Sequence, residues 1–330
     1  MPDASATKIV FLDRATIGPG VELRPPAFAH SWEEHAATPS DKVVERLKGA
    51  AVVITNKVPL TAEHLAELPE LRLVAVAATG TDVVDVAACE ARGIGVVNVR
   101  GYAVTAVPEF ILSVMFTLRR QLPAYARRVR EGAWQDAGQF CFFNGPMADL
   151  SGQTLGIVGT GSIATALGEK AEALGMRVIF HSLSGRELSD RQMVDLDTLL
   201  ESSDVVSLNC PLNNRSHQLI DKTALRLMRP QAILINTARG AIVDYHALEA
   251  ALLLEEIGGA AIDVAETEPP PRDHPLMRLA HLDNVIVTPH CAWASQPAMQ
   301  ALADQLLDAI EAFFRGESLN RVDGSDAATS

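Results

Sequence analysis

The sequence has no block of lysine or arginine, no cysteines at metal or redox spacing, and no apolar run long enough to cross a bilayer. Each absence excludes a class of function. Lys and Arg number 28 against 41 Asp and Glu, a formal net charge of −13. A nucleic-acid duplex or an anionic membrane surface is repelled on average, so neither is an expected partner. An anionic metabolite can still bind where a few cations and backbone N–H groups are gathered locally. The four cysteines, Cys89, Cys141, Cys210 and Cys291, are scattered without C-x-x-C spacing, so no metal site or redox pair is suggested. Reduced thiols in a cytoplasmic chain are the expectation. Residues 1–13 lack a basic segment followed by an apolar stretch, so no secretory leader is expected. The longest apolar run, residues 110–118, ends on Arg119-Arg120 and is too short to span a bilayer. It reads as a buried helix.

What is present is ordinary globular composition, 48% hydrophobic and 21% charged, over 330 residues, a length that favours two domains. Short β-rich runs alternate with helical patterns. Residues 8–12, 50–55, 73–76 and 95–98 form a first series of strands, with an amphipathic stretch at 41–47 before the second. A further series follows at 153–158, 177–180, 205–208, 232–235, 259–262 and 285–287. Near-continuous apolar strands separated by helices predict α/β architecture with parallel sheets covered on both faces. Six strands over the second series match a full dinucleotide-binding domain. Residues 134–149, rich in aromatics, Gly and Pro, predict an irregular connection. The tail after Val322 is small and polar and predicts fraying.

The strand ending in Val158 runs into Gly159-Thr160-Gly161-Ser162-Ile163-Ala164 and a helix over residues 165–174. The first glycine permits a tight turn, and the second lets backbone approach a pyrophosphate at the positive end of the helix. Ala164 at the third small position allows close helix–strand packing. As a bare string, G-x-G-x-x-A is weak and also fits a plain β–α turn. Its place between a strand and a helix supports dinucleotide binding. At the end of the next strand, an acidic residue would accept from a ribose 2′-hydroxyl. Here Phe180-His181-Ser182-Leu183-Ser184-Gly185-Arg186 offers no carboxylate before Glu187. Ser182 and Ser184 can bond a 2′-phosphate and Arg186 can pair with it, so NADP is the expected cofactor, with NAD the alternative.

Ligands of open parallel sheets bind beyond the carboxyl ends of the strands. Those ends read Asn209-Cys210-Pro211, Asn236-Thr237-Ala238-Arg239-Gly240, Asp263-Val264 and Thr288-Pro289-His290, with Glu268 a few residues after Asp263. Carbonyl reduction requires a hydride donor, a proton donor and a group that holds and polarises the substrate. An imidazole at His290 suits the proton, and Glu268 can supply the negative charge that stabilises an imidazolium. The planar fork of Arg239 can bond both a substrate carboxylate and the reacting oxygen. Asp263 can accept from the nicotinamide amide. Singly, each of these is a common structural hydrogen-bonder; their coincidence on one edge points to chemistry.

These residues resemble the D-isomer-specific 2-hydroxyacid dehydrogenase family, over nearly the whole chain. Residues 236–240 are similar to its arginine motif, residues 263–270 to its glutamate motif and Thr288-Pro289-His290 to its histidine motif. The resemblance makes Arg239, Glu268 and His290 the catalytic set. Ala77-Ala78-Thr79-Gly80-Thr81-Asp82 resembles the substrate loop, whose N–H groups bind a carboxylate. Ala77, Ala78, Thr79 and Gly80, with Arg239, His290 and Trp293, are then the substrate contacts. The cofactor contacts are Gly159, Thr160, Gly161, Ser162, Ile163, His181, Ser182, Ser184, Arg186, Cys210, Pro211, Thr237, Ala238, Asp263, His290 and Val104. Asn98-Val99-Arg100-Gly101-Tyr102, residues 140–143 and Ala292-Trp293-Ala294-Ser295 resemble the glycerate dehydrogenase/hydroxypyruvate reductase branch. Ser182 departs from the family where an acidic residue is usual, as do Val104 and Pro108-Glu109 at the start of the helix between domains.

The resemblance implies two doubly wound parallel-sheet domains with a cleft between them. Residues 99–292 would form a Rossmann cofactor domain. Residues 1–98 and 293–330 would form a discontinuous, flavodoxin-like substrate domain, completed by a helix over residues 294–314, with a hinge that closes on substrate. It also implies a homodimer joined through residues 102–146. The expected activity is reduction of a small 2-keto acid, hydroxypyruvate or glyoxylate, to the D-2-hydroxy acid, and the reverse oxidation. Two alternatives remain open on sequence alone: a dinucleotide-sensing, co-repressor-like binding protein, and a formate- or phosphite-type dehydrogenase on the same fold.

Overall fold

The apolar runs become strands, and most of them are buried on both faces. In the computed structural model, which describes residues 6–323, the strands are β1 (Thr7–Phe11), β2 (His30–Glu34), β3 (Val52–Thr55), β4 (Leu73–Val76) and β5 (Gly95–Val97). They continue with β6 (Thr154–Val158), β7 (Arg177–His181), β8 (Val205–Leu208), β9 (Ile233–Asn236), β10 (Gly259–Ile262), β11 (Val285–Val287) and β12 (Arg321–Val322). Every residue of β3, β4, β6, β8, β9 and β10 is buried. A buried Val, Leu or Ile contributes about 1.5–3 kcal/mol, set against the entropy of ordering the chain.

The chain divides into two compact units, Met1–Ala103 with Ala294–Ser330, and Val104–Trp293. The first contains a six-stranded sheet in the order β12-β5-β4-β3-β1-β2. All its pairings are parallel except β12, which runs antiparallel to β5 through Arg321↔Val97 and Val322↔Val96. The expectation of a purely parallel sheet is corrected at that edge. Neither β12 nor β2 was visible as an apolar run. β12 is two residues long, and β2 is the mostly polar His-Ser-Trp-Glu-Glu at the other edge, paired only with β1. The fraying expected after Val322 falls on residues that, from 324 onward, lie outside the described part of the chain.

The helix Gln296–Phe314 completes this unit. Ser295 caps it by accepting from the Ala298 N–H, and a stripe of Met299, Leu302, Leu306, Leu307 and Ile310 is buried. It packs on β4 and β5. Gly95 makes room for it: a Cβ there would lie 2.5 Å from the Phe313 ring.

The second unit has six parallel strands in the order β11-β10-β9-β8-β6-β7. A single parallel bridge, Phe180↔Met193, adds a rudimentary seventh position outside β7. The run at residues 110–118 lies within the helix Ala106–Arg119, but only one face is buried, carrying Val107, Ile111, Val114, Met115 and Leu118. Phe116 points outward at 41% exposure. Pro108 is accommodated because it falls in the first turn, where no intrahelical donor is needed.

In both sheets the chain reverses direction of winding beside the first strand, between β1 and β3 in one and between β6 and β8 in the other. Such switch points open a crevice at the carboxyl ends of the strands. The candidate site residues lie at these edges.

Candidate active site

In the second unit, the turn after β6 shows what each glycine does. Gly159 has φ +124, and a Cβ on it would lie 2.3 Å from the Asn209 carbonyl oxygen and 3.2 Å from Cys210 N. No side chain can be accommodated, and the approach brings Cys210, whose thiol burial pushes up to about 11, against the glycine loop. Gly161 is different. It has an extended backbone, and a Cβ there would meet nothing within 4 Å. Open space, not a protein neighbour, lies over it. Gly161 is the N-cap of the helix Ser162–Ala173 and supplies no side-chain cap, so the first-turn N–H groups around Ser162 and Ile163 face outward without one. Ala164 is fully buried, and Gly168 one turn on admits the Phe180 ring.

The catalytic candidates come together after β9, β10 and β11. His290 Nδ1 lies 2.6 Å from Glu268 Oε2, and the other Glu268 oxygen accepts from the Ala265 N–H at 3.1 Å. The carboxylate is thus held in place and fixes the plane of the ring. Both side chains keep about a third of their surface, 27% for His290 and 31% for Glu268. His290 has φ +53, a conformation non-glycine residues rarely adopt. Its N–H donates to Asp263 O (2.7 Å) and Thr288 O (3.1 Å), and Trp293 Nε1 donates to its carbonyl at 3.1 Å.

Asp263 is 2% exposed, and its carboxylate is engaged by the loop that carries His290. Oδ1 accepts from Thr288 Oγ1 (2.5 Å) and Cys291 N (2.9 Å), and Oδ2 accepts from Ala292 N (2.9 Å). These bonds hold the strained turn, a task distinct from the nicotinamide contact expected of Asp263.

Arg239 is held by Asn236, which is fully buried at the end of β9. The Asn236 amide donates to Arg239 O at 2.9 Å, and its oxygen accepts from Ala238 N at 3.1 Å. Next to it, Gly240 lies against the glutamate loop: a Cβ there would be 2.0 Å from Ala265 C and 2.3 Å from Glu266 N. The buried Tyr245 hydroxyl donates to Val264 O at 2.6 Å, and burial pushes its ionisation up. Asn236, Gly240 and Tyr245 were not singled out as acting residues. Their only signals were a polar residue closing an apolar strand, the glycine after Arg239, and an aromatic bearing a hydroxyl in a buried helix.

In the first unit, Ala77-Ala78-Thr79-Gly80 follows β4. Thr79 Oγ1 donates to Val99 O (2.8 Å), Asn98 Nδ2 to Thr79 O (2.7 Å) and Val99 N to Ala78 O (3.1 Å). The loop is braced through its hydroxyl and carbonyls. Among the described residues, the N–H groups of Ala78, Thr79 and Gly80 donate to no acceptor.

Residues 112–292, more than half the chain, match the model of the D-isomer specific 2-hydroxyacid dehydrogenase, NAD binding domain. The chain is 47% identical to a glycerate dehydrogenase of Methylorubrum extorquens, over 96% of its own length and 99% of the relative's. The chain belongs to the D-2-hydroxyacid dehydrogenase family. It is also 32% identical to a hydroxypyruvate reductase of Blautia hydrogenotrophica, over 96% of this chain and 99% of that one. The crystal structure of a D-lactate dehydrogenase of Aquifex aeolicus with NAD and lactic acid superposes with TM-score 0.79 at 26% identity, covering 94% of this chain and 96% of that one. The co-repressor-like and formate- or phosphite-type alternatives are not favoured by these relatives.

A nicotinamide dinucleotide fits the residues this dehydrogenase presents. Gly159 and Gly161 leave backbone and open space at a helix N-terminus, the arrangement a pyrophosphate requires. Thr237 Oγ1 is buried with no hydrogen-bond partner among the described residues, a defect of about 1–3 kcal/mol that a bound polar group would relieve. Of the other expected contacts, Thr160 is buried and Pro211 exposed, its carbonyl accepting from Ser216 Oγ. Val104 is half-buried just before the helix Ala106–Arg119, which packs on the helix Ser162–Ala173. His181 uses Nδ1 on Val194 O at 3.1 Å.

After β7, Ser182 and Ser184 approach each other at 3.4 Å and Arg186 N donates to Ser184 Oγ. A hollow of about 500 Å³ is lined there by His181, Ser182, Gly185, Glu187 and Asp195, among others. A cation that was not singled out joins them: Arg215 Nη1 donates to Leu183 O at 3.0 Å. It comes from the loop after β8, and nothing in the sequence connected it to Ser182. No helix of the described residues is long and apolar enough to cross a membrane.

Proposed function

We propose that this dehydrogenase reduces a short 2-keto acid, hydroxypyruvate or glyoxylate, to the D-2-hydroxy acid, with His290 as proton donor. The observation that carries the reading is the 2.6 Å bond between His290 Nδ1 and Glu268. With Nδ1–H committed to the carboxylate, Nε2 is the nitrogen left to face a carbonyl oxygen, and Glu268 compensates the charge of the imidazolium. Nε2 gives its proton to the oxygen as the carbonyl carbon is reduced; in the reverse direction it takes the proton back from the hydroxyl. Arg239 holds the substrate carboxylate and the reacting oxygen, and the N–H groups of Ala78, Thr79 and Gly80 hold the carboxylate. The nicotinamide ring, when bound, supplies the hydride. Gly159, Thr160, Gly161, Ser162 and Ile163 would hold its pyrophosphate, and Thr237, Ala238, Cys210 and Pro211 would line its path. In this reading the first unit is the substrate domain and the second the cofactor domain.

We further propose a preference for NADPH. No carboxylate stands at Ser182 itself; Ser184 lies 3.4 Å from it, Arg186 follows two residues on, and Arg215 reaches the same loop at Leu183 O, which supports donors for a 2′-phosphate there. Steady-state kinetics on hydroxypyruvate and glyoxylate with each reduced cofactor test both proposals together. The expected result is turnover of both acids, with kcat/KM at least about tenfold higher for NADPH, the size of one charged hydrogen bond. Ser182→Asp, which would repel the phosphate and accept from a 2′-hydroxyl, should reverse that order. A wild-type preference for NADH would overturn the cofactor proposal and leave the substrate proposal standing.

The reading includes a homodimer joined through residues 102–146. Support comes from apolar side chains left uncovered along that stretch: Phe140 is 88% exposed, Phe143 75%, Leu122 52% and Trp134 50%. Monomeric proteins seldom expose so many large apolar groups in one segment. Sedimentation equilibrium should give twice the 35.3 kDa chain mass, and Phe140→Asp with Phe143→Asp should shift it to the monomer. A monomeric wild type at micromolar concentration would remove the dimer from the proposal.

A further inference from the structure

The polar side chains buried in the first unit, among the described residues, are Asp13, Thr55, Asn56, Thr81 and Asn98. Buried polar groups ordinarily find their partners inside the protein, so one that does not marks a place for an outside partner. Asp13, Thr55 and Asn98 follow the rule. The Asp13 carboxylate accepts from the N–H groups of Asn56 (3.0 Å) and Lys57 (2.6 Å). The Thr55 hydroxyl donates to Val58 O (2.9 Å) and accepts from Val58 N (3.1 Å). The Asn98 amide donates to Thr79 O (2.7 Å) and accepts from Arg100 Nε (3.1 Å). Asn56, 7% exposed, and Thr81, 6% exposed, do not: their side chains hydrogen-bond to nothing among the described residues.

Both exceptions stand on the carboxyl edge of the sheet. Thr81 belongs to the loop after β4, with the N–H groups proposed to hold the substrate carboxylate. Asn56 is the first residue after β3, the strand beside β4. Thr55 pairs with Val76 in that ladder, and Ala77 N donates to Thr55 O at 2.8 Å. The Asn56 backbone therefore stands one strand spacing, ~4.8 Å, from that of Ala77. Its N–H is fixed on the buried Asp13, and the Thr55 hydroxyl closes the turn that follows, so the side chain hangs from a rigid backbone. Neither polar atom of its amide is sealed from the surface, and a ligand at this edge can reach it. The edge adjoins the β1/β3 switch point, where sheets of this winding bind ligands.

We propose that Asn56 is a specificity residue whose side-chain amide exchanges hydrogen bonds with a hydroxyl on the substrate carbon next to the keto group. The proposal rests on the reading of this chain as a 2-keto acid reductase. A carboxylate on the Ala78, Thr79 and Gly80 amides already has its donors, so a further polar group one strand away serves the rest of the molecule. A primary amide offers both a donor and an acceptor, and a hydroxyl is the substituent that uses both. A carboxylate would use only the donor, and a methyl group neither. Hydroxypyruvate carries that hydroxyl, pyruvate has a hydrogen in its place, and glyoxylate lacks the third carbon. A site built to bond a hydroxyl rejects the analogue without it, because its own buried amide is then left unpaired.

The test compares kcat/KM of the full-length wild type, Asn56→Leu and Asn56→Ser on hydroxypyruvate, pyruvate and glyoxylate at saturating reduced cofactor. Wild type should favour hydroxypyruvate over pyruvate by at least about tenfold. Asn56→Leu keeps the branched shape without the polar atoms. It should lose roughly tenfold to a hundredfold on hydroxypyruvate, the scale of a buried hydroxyl left unpaired, and stay within about threefold on the other two acids. Asn56→Ser, which keeps a donor and an acceptor, should recover part of the loss. Equal losses on all three acids would reduce Asn56 to a support for the turn and overturn the proposal, as would no loss on hydroxypyruvate or a wild type indifferent to the hydroxyl. Wild-type protein inert towards all three would overturn the functional reading itself. Thermal melts accompany the kinetics, and Asn56→Ala replaces Asn56→Leu if the latter does not fold.

Discussion

Replacing His290 with asparagine should lower kcat for keto-acid reduction by about 10²–10⁴, the range general acid catalysis contributes, with little change in KM. Asparagine is smaller but keeps an N–H near the position of Nδ1 that can bond Glu268, so the loop held by Asp263 should persist. What is lost is the proton donor. Arg239 and the loop after β4 are untouched, and substrate binding should survive; this separates a catalytic from a binding effect. The measurement is kcat and KM with saturating cofactor, supported by single-turnover rates that isolate the chemical step. If kcat stays within a few-fold of wild type, His290 is not the proton donor. The φ of +53 at His290 adds to the expectation, because asparagine tolerates that conformation better than most residues. Stability should therefore be kept or slightly raised.

Gly240→Ala should affect both fold and activity. The added Cβ would stand 2.0 Å from Ala265 C, 2.3 Å from Glu266 N and 2.4 Å from Ala265 O, all backbone atoms that cannot rotate away. The segment bearing Arg239 and the loop bearing Glu268 must separate by about an ångström or more to admit it. Overpacking of this kind costs about 1–3 kcal/mol, more where the backbone itself must shift. The same movement displaces Arg239 from Glu268 and His290, and misplacement of that size lowers turnover by about 10²-fold. Urea unfolding gives the first quantity and kcat/KM at a temperature where the variant is folded gives the second. A variant as stable and active as wild type would mean that the two segments do not approach so closely.

Much of this organisation was legible in the sequence because the underlying forces are local. Strands buried on both faces are written as continuous apolar runs, and ten of the twelve strands were found that way. The two that were not, His30–Glu34 and Arg321–Val322, are edge strands. An edge strand is held by backbone hydrogen bonds to one neighbour, and those bonds do not depend on side chains. The buried run at residues 110–118 illustrates the opposite error. Seven apolar residues among nine suggested a buried helix, yet Phe116 is exposed, because apolar content alone does not say which face of a helix finds a partner.

The candidate site divides along the same line. Residue types at strand ends were enough to bring Arg239, Glu268 and His290 to one sheet edge, since a parallel sheet places all its carboxyl ends on one side. The glycine loop followed from its own spacing. Only the tertiary structure decided that Asp263 is used on the backbone around His290, that Gly240 is required by the glutamate loop, and that Arg215 reaches the loop after β7. Those are contacts between segments distant in sequence, and they are set by how strands pair and turns close. Chemistry is written locally in residue type; aim is a property of the packed chain.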